Sequence, residues 1–435
     1  MVVAFDLRPL QSGHQYRGIG IALQNILQGI LQNPDSTKNW EIIYYVYAHQ
    51  PIPQVIKSQL QNGRLIKVSL PKARPSRFKL IRRMNYLIGA WSKLNSVNKL
   101  PEFNKVDIFL QFDFLLGLPK KSAAKKILVA YDLIPLVMPT HYLPTFSEVK
   151  MRTGSRKLAF QAWLNRRRYL YSLQKSLERS DLVLAISEHT KKDLQRYIGV
   201  DPEKIKILYL AADKPSSAEL TQVPSSTIFE SIDWRFIDSQ KRLRSLSLLD
   251  APYILYIGGA DPRRRIQDLI TAFNHVRAAG ISCRLVLVGF DFQDIEKIPN
   301  DQVKKALRYS SYGADIYLLG FVDSQQKALL YKQAAAFVYP SLYEGFGIPV
   351  LEAMEYGCPV ICYDNSSLRE VGGKAALYTS GFEDTADTLK KLLAEPAFRT
   401  QVIKKGQKQA AQFTWQKTLK TLIGTVNAIK VQDKL

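Results

Sequence analysis

The sequence has few of the residues that crosslink a chain or bind metal ions. Its 435 residues include three cysteines and five scattered histidines. Three cysteines cannot form a disulfide framework, and Cys358 and Cys362 lie inside an apolar run. We therefore expect buried free thiols and no metal site.

Long apolar segments are also missing. No uncharged apolar run approaches the roughly 20 residues that a membrane-spanning helix needs. The first ten residues, MVVAFDLRPL, are typical of a strand, without the basic and long apolar regions of a signal peptide. These absences predict a cytoplasmic protein, with peripheral membrane contact still open.

Acidic residues are scarce, since 61 Lys and Arg against 38 Asp and Glu give a formal net charge of +23. This charge favours a polyanionic partner such as nucleic acid, an anionic membrane or a phosphorylated substrate. Residues 72–99 contain basic, aromatic and aliphatic side chains but no acidic residue. They predict contact with an anionic membrane surface, and packing of a solvated helix on its own domain is the alternative.

Predicted strands and helices alternate along both halves of the chain. This order indicates an α/β fold with two doubly wound, Rossmann-like parallel sheets facing a cleft. We expect one domain over 1–212, a linker at 213–250 and a second domain over 251–414. A basic helical stretch is predicted at 147–179, and the last amphipathic helix, 415–431, is expected to rejoin the first domain.

The most informative stretch is 339–364, YPSLYEGFGIPVLEAMEYGCPVICYD. Two apolar strands enclose the loop Gly345–Phe346–Gly347 and a helix that starts near a proline. A glycine loop that opens a helix can turn bare N–H groups and the positive end of the helix dipole outward, which suits an anion. Glu344 and Glu352 place one carboxylate on each side of this phosphate-sized site.

Other glycines and one carboxylate also follow predicted strands. Gly258 and Gly259 precede the basic segment DPRRR, whereas Gly18 and Gly20 lie between the first strand and a helix. The second pair could admit a phosphate or form a plain tight turn. Asp132 ends a strand, where ligand contact and turn capping are both open.

These motifs resemble those of the retaining GT-B glycosyltransferases. Glu344 and Glu352 match the E-x7-E signature of that large family, and YIGGADPRRRIQDLI resembles its strand–glycine–basic segment. GIG at 18–20, YDLIP at 131–135 and AISEHTKKDL at 185–194 resemble its N-terminal motifs. The resemblance spans most of the chain and is strongest over 253–364.

The resemblance implies a nucleotide-sugar donor site in the second domain and an acceptor site in the first. Mannose or glucose would pass to a glycan or lipid-linked acceptor in polysaccharide or glycolipid assembly, with retained configuration and without a metal or other cofactor. The residues implied as catalytic are Glu344, Arg263, Arg264 and Asp132. Those implied in donor binding are Gly18, Gly20, Gly258, Gly259, Val322, Gly345, Phe346, Gly347 and Glu352.

Within that set, Glu352 would take the ribose hydroxyls, Glu344 would face the sugar, and the arginines would bind phosphate. Two positions depart from the family, because Gly259 stands where many members have Arg and Tyr131 where many have His. A nucleic-acid-binding protein and a non-catalytic nucleotide-sugar sensor on the same scaffold are the alternatives. The sequence has no recognised nucleic-acid-binding motif, so no nucleic-acid partner is expected.

Overall fold

The computed structural model describes residues 1–13, 15, 18–57, 63–68, 101–118, 123–212, 235–236 and 251–429. The chain divides into two compact units. Met1–Leu210 and Trp415–Leu435 form the N-terminal domain, and Ala211–Thr414 forms the C-terminal domain. The basic segment 72–99 and most of the expected linker lie outside the described residues.

The N-terminal domain contains a parallel sheet of seven strands in the order β3-β2-β1-β4-β5-β6-β7. Its strands are apolar on both faces, as expected for a parallel sheet covered by helices, and Phe5, Phe109 and Val183 are fully buried. The strands are β1 Val2–Asp6, β2 Glu41–Tyr47, β3 Gly63–Val68, β4 Ile108–Gln111, β5 Lys125–Ala130, β6 Leu182–Ala185 and β7 Ile205–Ile207.

Seven α-helices are described between these strands and around them. They are α1 Gly18–Gln32, α2 Gln54–Lys57, α3 Ile134–Val137, α4 Pro139–Tyr142, α5 Phe146–Thr153, α6 Arg156–Arg179 and α7 Glu188–Asp193. The basic helical stretch predicted over 147–179 is therefore divided into two helices. Gly154 ends α5 with a φ of 67°, and the Ser155 side chain caps α6, so the chain turns between them.

The C-terminal domain has a second seven-stranded sheet, in the order β14-β13-β12-β9-β10-β11-β8. Its strands are β8 Arg235–Phe236, β9 Tyr253–Ile257, β10 Arg284–Val288, β11 Ile316–Leu319, β12 Ala336–Tyr339, β13 Val360–Tyr363 and β14 Leu377–Thr379. Strand β8 runs antiparallel to β11, whereas the other pairs are parallel. Part of the expected linker is thus an edge strand, too short to show any sequence periodicity.

The helices of this domain are α8 Ile266–Ala278, α9 Asp301–Arg308, α10 Ser324–Gln333, α11 Ile348–Glu355, α12 Leu368–Gly372, α13 Phe382–Ala394 and α14 Pro396–Ala410. A capping box fixes the start of α10, because the side chains of Asp323 and Gln326 each accept a hydrogen bond from the other's backbone N–H. No helix in the described part of the chain is both long and apolar enough to cross a membrane.

The last helix, α15 Trp415–Ala428, belongs to the N-terminal domain. It packs on α1 at Gly29, where an added Cβ would lie 2.1 Å from Leu419 Cδ1. Trp40 Nε1 also donates a hydrogen bond of 2.8 Å to Asn427 Oδ1. The sheets and their helices confirm the predicted α/β class with two Rossmann-like domains.

Candidate functional site

The candidate site lies where two neighbouring strands of the C-terminal sheet end. Strands β9 and β12 pair in parallel, so their carboxyl ends meet at the same edge of the sheet. The segment after β9 carries Arg263 and Arg264, and the segment after β12 carries Glu344. In open α/β sheets this edge is where ligands bind.

Both arginines contact the Glu344 carboxylate. Arg263 Nη2 lies 3.3 Å from each carboxylate oxygen, and Arg264 Nε lies 3.2 Å from Oε1. The Arg263, Arg264 and Glu344 side chains are 11%, 18% and 10% exposed. The residues predicted to be catalytic in this domain therefore form one nearly buried cluster.

Two hydroxyl groups also contact the Glu344 carboxylate. Tyr339 and Ser341 each donate a hydrogen bond of 2.9 Å to Oε1. Burial by itself raises the pKa of Glu344, but the two arginines and these hydroxyls outweigh burial and lower its pKa to about 2. Glu344 is consequently an ionised carboxylate throughout the physiological range. The sequence argument did not identify either hydroxyl, although both residues belong to the stretch YPSLYEG.

Gly258 leaves room for the Arg264 guanidinium. An added Cβ at this position would lie 2.4 Å from Arg264 Nη1, and the Gly258 φ is 157°. The next glycine makes room for a carboxylate, since a Cβ on Gly259 would lie 2.9 Å from Asp291 Oδ2. The same Asp291 oxygen accepts a 2.7 Å hydrogen bond from Ala260 N. The glycine pair predicted to bind the donor thus has a defined local role in placing Arg264 and Asp291.

The loop Gly345–Phe346–Gly347 connects Glu344 to helix α11, and Gly347 has the positive φ of 106°. The sequence predicted that this loop turns its N–H groups outward, but residues 345–347 are buried. The Phe346 ring is 3% exposed and packs edge-on against Phe413, with ring centroids 5.8 Å apart. Ser367 Oγ donates hydrogen bonds to the carbonyl oxygens of Glu344 and Phe346, and these bonds stabilise the loop conformation.

The second motif carboxylate, Glu352, lies one turn into α11 and is paired with α10. Lys327 Nζ donates to Glu352 Oε1 at 2.5 Å, and Tyr331 Oη donates to Oε2 at 3.1 Å. The Glu352 side chain is 4% exposed and that of Lys327 is 16% exposed. The sequence argument missed both donors, although their i, i+4 spacing places them on one helix face. Val322 lies between β11 and the cap of α10, beside the exposed Phe321.

The remaining predicted residues lie in the N-terminal domain. Gly18 and Gly20 were expected in a loop, but they form the first turn of α1, in which Gly20 is buried. Asp132 Oδ1 accepts a 3.0 Å hydrogen bond from Ile134 N, which is a turn-capping contact. Tyr131 Oη lies 3.5 Å from Ile19 O, so the ends of β5 and the start of α1 come together.

Both halves of the chain match models of glycosyltransferase families. One family model, Glycosyl transferases group 1, matches residues 239–409, and another, Glycosyltransferase Family 4, matches residues 63–214. The structure of sucrose-phosphate synthase from Thermosynechococcus elongatus aligns with a TM-score of 0.67 and 18% identity, covering 98% of each chain. Each half of the chain matches a glycosyltransferase family model, and the fold is that of the GT-B glycosyltransferases.

Two further proteins are similar to this chain. The O-antigen chain mannosyltransferase B of Escherichia coli is 30% identical over 263 residues. The alignment covers 60% of this chain and 63% of that relative, so the chain spans less than two thirds of the relative's length. Anabaena HepE, solved in complex with UDP and glucose, aligns with a TM-score of 0.62 and 14% identity over 98% of this chain and 99% of its own.

Proposed function

We propose that this protein is a retaining, metal-independent hexosyltransferase. It transfers mannose or glucose from a nucleotide sugar to a glycan or lipid-linked acceptor in polysaccharide or glycolipid assembly. The observation that carries the proposal is the cluster of Arg263, Arg264 and Glu344 at the ligand-binding edge of the C-terminal sheet. The similarity to a mannosyltransferase and to a protein solved with UDP and glucose supports this donor class.

In the proposed reaction the arginines receive the leaving nucleoside diphosphate. The bond between the anomeric carbon and the donor phosphate oxygen breaks, and negative charge develops on the phosphate. Guanidinium groups offer several donors in a planar fork that fits phosphate oxygens. Because their contacts with Glu344 already hold Arg263 and Arg264 in place, they stabilise this charge with little reorganisation. This positive charge fulfils the role that a metal ion has in other transferases.

Glu344 has a positioning role in this scheme and receives no proton. With a pKa of about 2 it is not a general acid at neutral pH. Its Oε1 accepts hydrogen bonds from Arg264, Tyr339 and Ser341, which reduces its strength as a nucleophile. We therefore assign no covalent intermediate to it. The acceptor hydroxyl attacks the face that the phosphate leaves, its proton passes to the departing phosphate oxygen, and configuration is retained.

A panel of nucleotide sugars tests this proposal. UDP-, GDP- and ADP-linked glucose and mannose are added separately, and the thermal unfolding midpoint and the slow hydrolysis of each donor are measured. One donor should raise the midpoint and be hydrolysed. Glu344→Gln should reduce its turnover by at least about 100-fold, whereas Glu383→Gln, at an exposed position in the first turn of α13, should not.

The outcomes of the panel separate the candidate functions. If no donor raises the midpoint or is hydrolysed, the transferase proposal is wrong. Binding without hydrolysis or transfer, unchanged by Glu344→Gln, would instead indicate a sensor of nucleotide sugars.

We also propose peripheral association with the cytoplasmic face of an anionic membrane. The segment first predicted for this role, 72–99, is outside the described residues, but α6 supplies a second surface. Its exposed face repeats arginines and aromatic rings every three or four residues, at Arg156, Phe160, Trp163, Arg167 and Tyr171. The Arg167 guanidinium lies 5.1 Å from the Trp163 ring centroid. Cationic and aromatic side chains on one helix face are typical of membrane interfaces.

Vesicle binding tests this association. Trp163→Ala combined with Arg167→Glu should weaken binding to phosphatidylglycerol vesicles, and neutralising Arg77, Lys79, Arg82 and Arg83 should weaken it further. Lys390→Glu, in the other domain, serves as the control. Unchanged vesicle binding would overturn the membrane proposal, and salt-sensitive duplex binding that outcompetes vesicles would favour a nucleic-acid partner.

A further inference from the structure

Glu352 is held by two side chains from one face of helix α10. Lys327 and Tyr331 are one helical turn apart, and each donates to a different oxygen of the Glu352 carboxylate. The two donors leave α10 in the same direction because residues at i and i+4 lie above one another. The carboxylate orientation is therefore fixed at both oxygens by a single rigid element.

The two donors are not equivalent. Tyr331 is fully buried between the rings of Phe337 and Tyr356, and burial raises its pKa well above the usual value, so it remains a neutral phenol. It can orient an oxygen but brings no charge. Lys327 brings a positive charge to a carboxylate that is only 4% exposed.

The position of Lys327 relates this pair to the donor. Helix α10 begins just after Val322, which the family resemblance implies in donor binding, and Lys327 lies in the second turn of that helix. Its ammonium is a compact charge that contacts one carboxylate oxygen, whereas a guanidinium fork would engage both. An ammonium thus orients Glu352 through one oxygen without enclosing the whole carboxylate.

We propose that Lys327 is a positioning residue for the ribose of the donor. It pairs with Glu352 and fixes the orientation of the carboxylate, and it thereby sets the preference for a ribonucleotide over a 2′-deoxyribonucleotide. The inference rests on the proposed function, in which Glu352 accepts hydrogen bonds from the ribose hydroxyls. It adds a residue on a different helix, outside the E-x7-E motif, to the ribose site.

Binding of nucleotide pairs tests the role of Lys327. UDP, GDP and ADP are each titrated beside their 2′-deoxy forms by calorimetry, against the wild type and Lys327→Met, Lys327→Arg, Glu352→Gln and Lys332→Met. The wild type should prefer one ribonucleotide by about 10-fold, the scale of a hydrogen bond to a charged group. Lys327→Met should reduce this preference to less than about 3-fold while leaving binding of the deoxy form nearly unchanged.

Two variants separate positioning from structural support. Lys327→Arg keeps a cation at this position and should retain part of the ribose preference that Lys327→Met loses. Lys332→Met removes an exposed lysine from the same helix and should change the affinity for neither the ribonucleotide nor its 2′-deoxy form. A purely structural role for Lys327 would weaken the ribose and deoxyribose forms equally, so the ratio of the two affinities distinguishes these roles even if the Met variant is less stable.

The failure of this inference differs from the failure of the proposed function. If Glu352→Gln abolishes the ribose preference but Lys327→Met preserves it, the role given to Lys327 is wrong and the donor site stands. If Glu352→Gln leaves the preference unchanged, Glu352 does not read the ribose and both the inference and that part of the proposed function are wrong. If the wild type binds none of the nucleotides, the donor site itself is overturned.

Discussion

Glu344 and Glu352 belong to the same sequence motif, but their partners differ in charge and come from different segments of the chain. Two arginines from the loop after β9 contact Glu344, and one of them, Arg263, also pairs with Asp261 at 3.0 Å. Glu352 pairs with one lysine and one tyrosine from a neighbouring helix. The first cluster offers two guanidinium groups to a phosphate, and Asp261 also pairs with Arg263, whereas the second has one cation for one carboxylate and suits neutral hydroxyl groups.

The largest expected difference between the two carboxylates is in stability. Glu344→Leu leaves Arg263 and Arg264 buried together, and loss of one partner from a buried ion pair costs about 3–5 kcal/mol. Glu352→Leu should cost less, because a single flexible lysine can move its ammonium toward water. Hydrogen exchange of the β12 amides in each variant measures both losses. Equal losses would show that the two clusters are energetically alike.

The second largest difference between Glu344 and Glu352 is expected in the pH dependence of stability. The pKa of Glu344 is about 2 in the fold against an ordinary value of 4.5. A depressed folded-state pKa gives stability that is present above pH 4.5 and is lost as the pH falls toward 2. The shift corresponds to about 3 kcal/mol. Glu344→Gln should make the thermal unfolding midpoint less dependent on pH between pH 4.5 and 2. Parallel midpoint curves for the variant and the wild type would show that Glu344 is not the source of this pH dependence.

A change beside only one cluster should affect only that cluster. Gly258→Ala places a Cβ against Arg264 Nη1, so the guanidinium must shift, and kcat/KM should fall by about 10- to 100-fold. The ribose preference should persist because Glu352 is untouched. Gly280→Ala is the matched control, since Gly280 also has a positive φ but nothing within 4 Å of an added Cβ. Equal loss of activity in both variants would assign the effect to backbone strain.

The smallest expected effects come from removing single hydroxyl groups. Tyr339→Phe and Tyr331→Phe each delete one donor to a carboxylate, which costs about 1 kcal/mol in the free energy of unfolding. Their functional effects should differ, because the arginines still orient Glu344 after Tyr339→Phe. Tyr331→Phe should instead weaken ribonucleotide binding by a few-fold. Titration of both variants with the same nucleotide checks this asymmetry.

Much of the C-terminal site was predictable because its signals are local in the sequence. The order strand, glycines and arginines predicted that Arg263 and Arg264 follow β9, and the motif placed Glu344 after β12. Parallel strands then bring these ends to one edge of the sheet. The direct contact between the arginines and Glu344 could not be predicted, because side-chain geometry depends on packing between segments distant in the chain.

Errors occurred where a local pattern admits two structures. Gly18 and Gly20 are compatible with both a loop and a helix start, and the packing of α1 selects the helix. The basic stretch 147–179 has helical composition throughout, but Gly154 adopts a left-handed conformation and breaks it. Strand β8 has two residues and forms only because β11 has an open edge.

By itself the sequence determined the two-domain α/β class, the E-x7-E pair and the excess of positive charge. These follow from periodicity, glycine spacing and composition, which are properties of short segments. Only the tertiary structure decided which cation neutralises which carboxylate: two arginines for Glu344 and Lys327 for Glu352. Charge pairing depends on distances of a few ångströms between elements far apart in sequence, and those distances exist only after the sheet and its helices have packed.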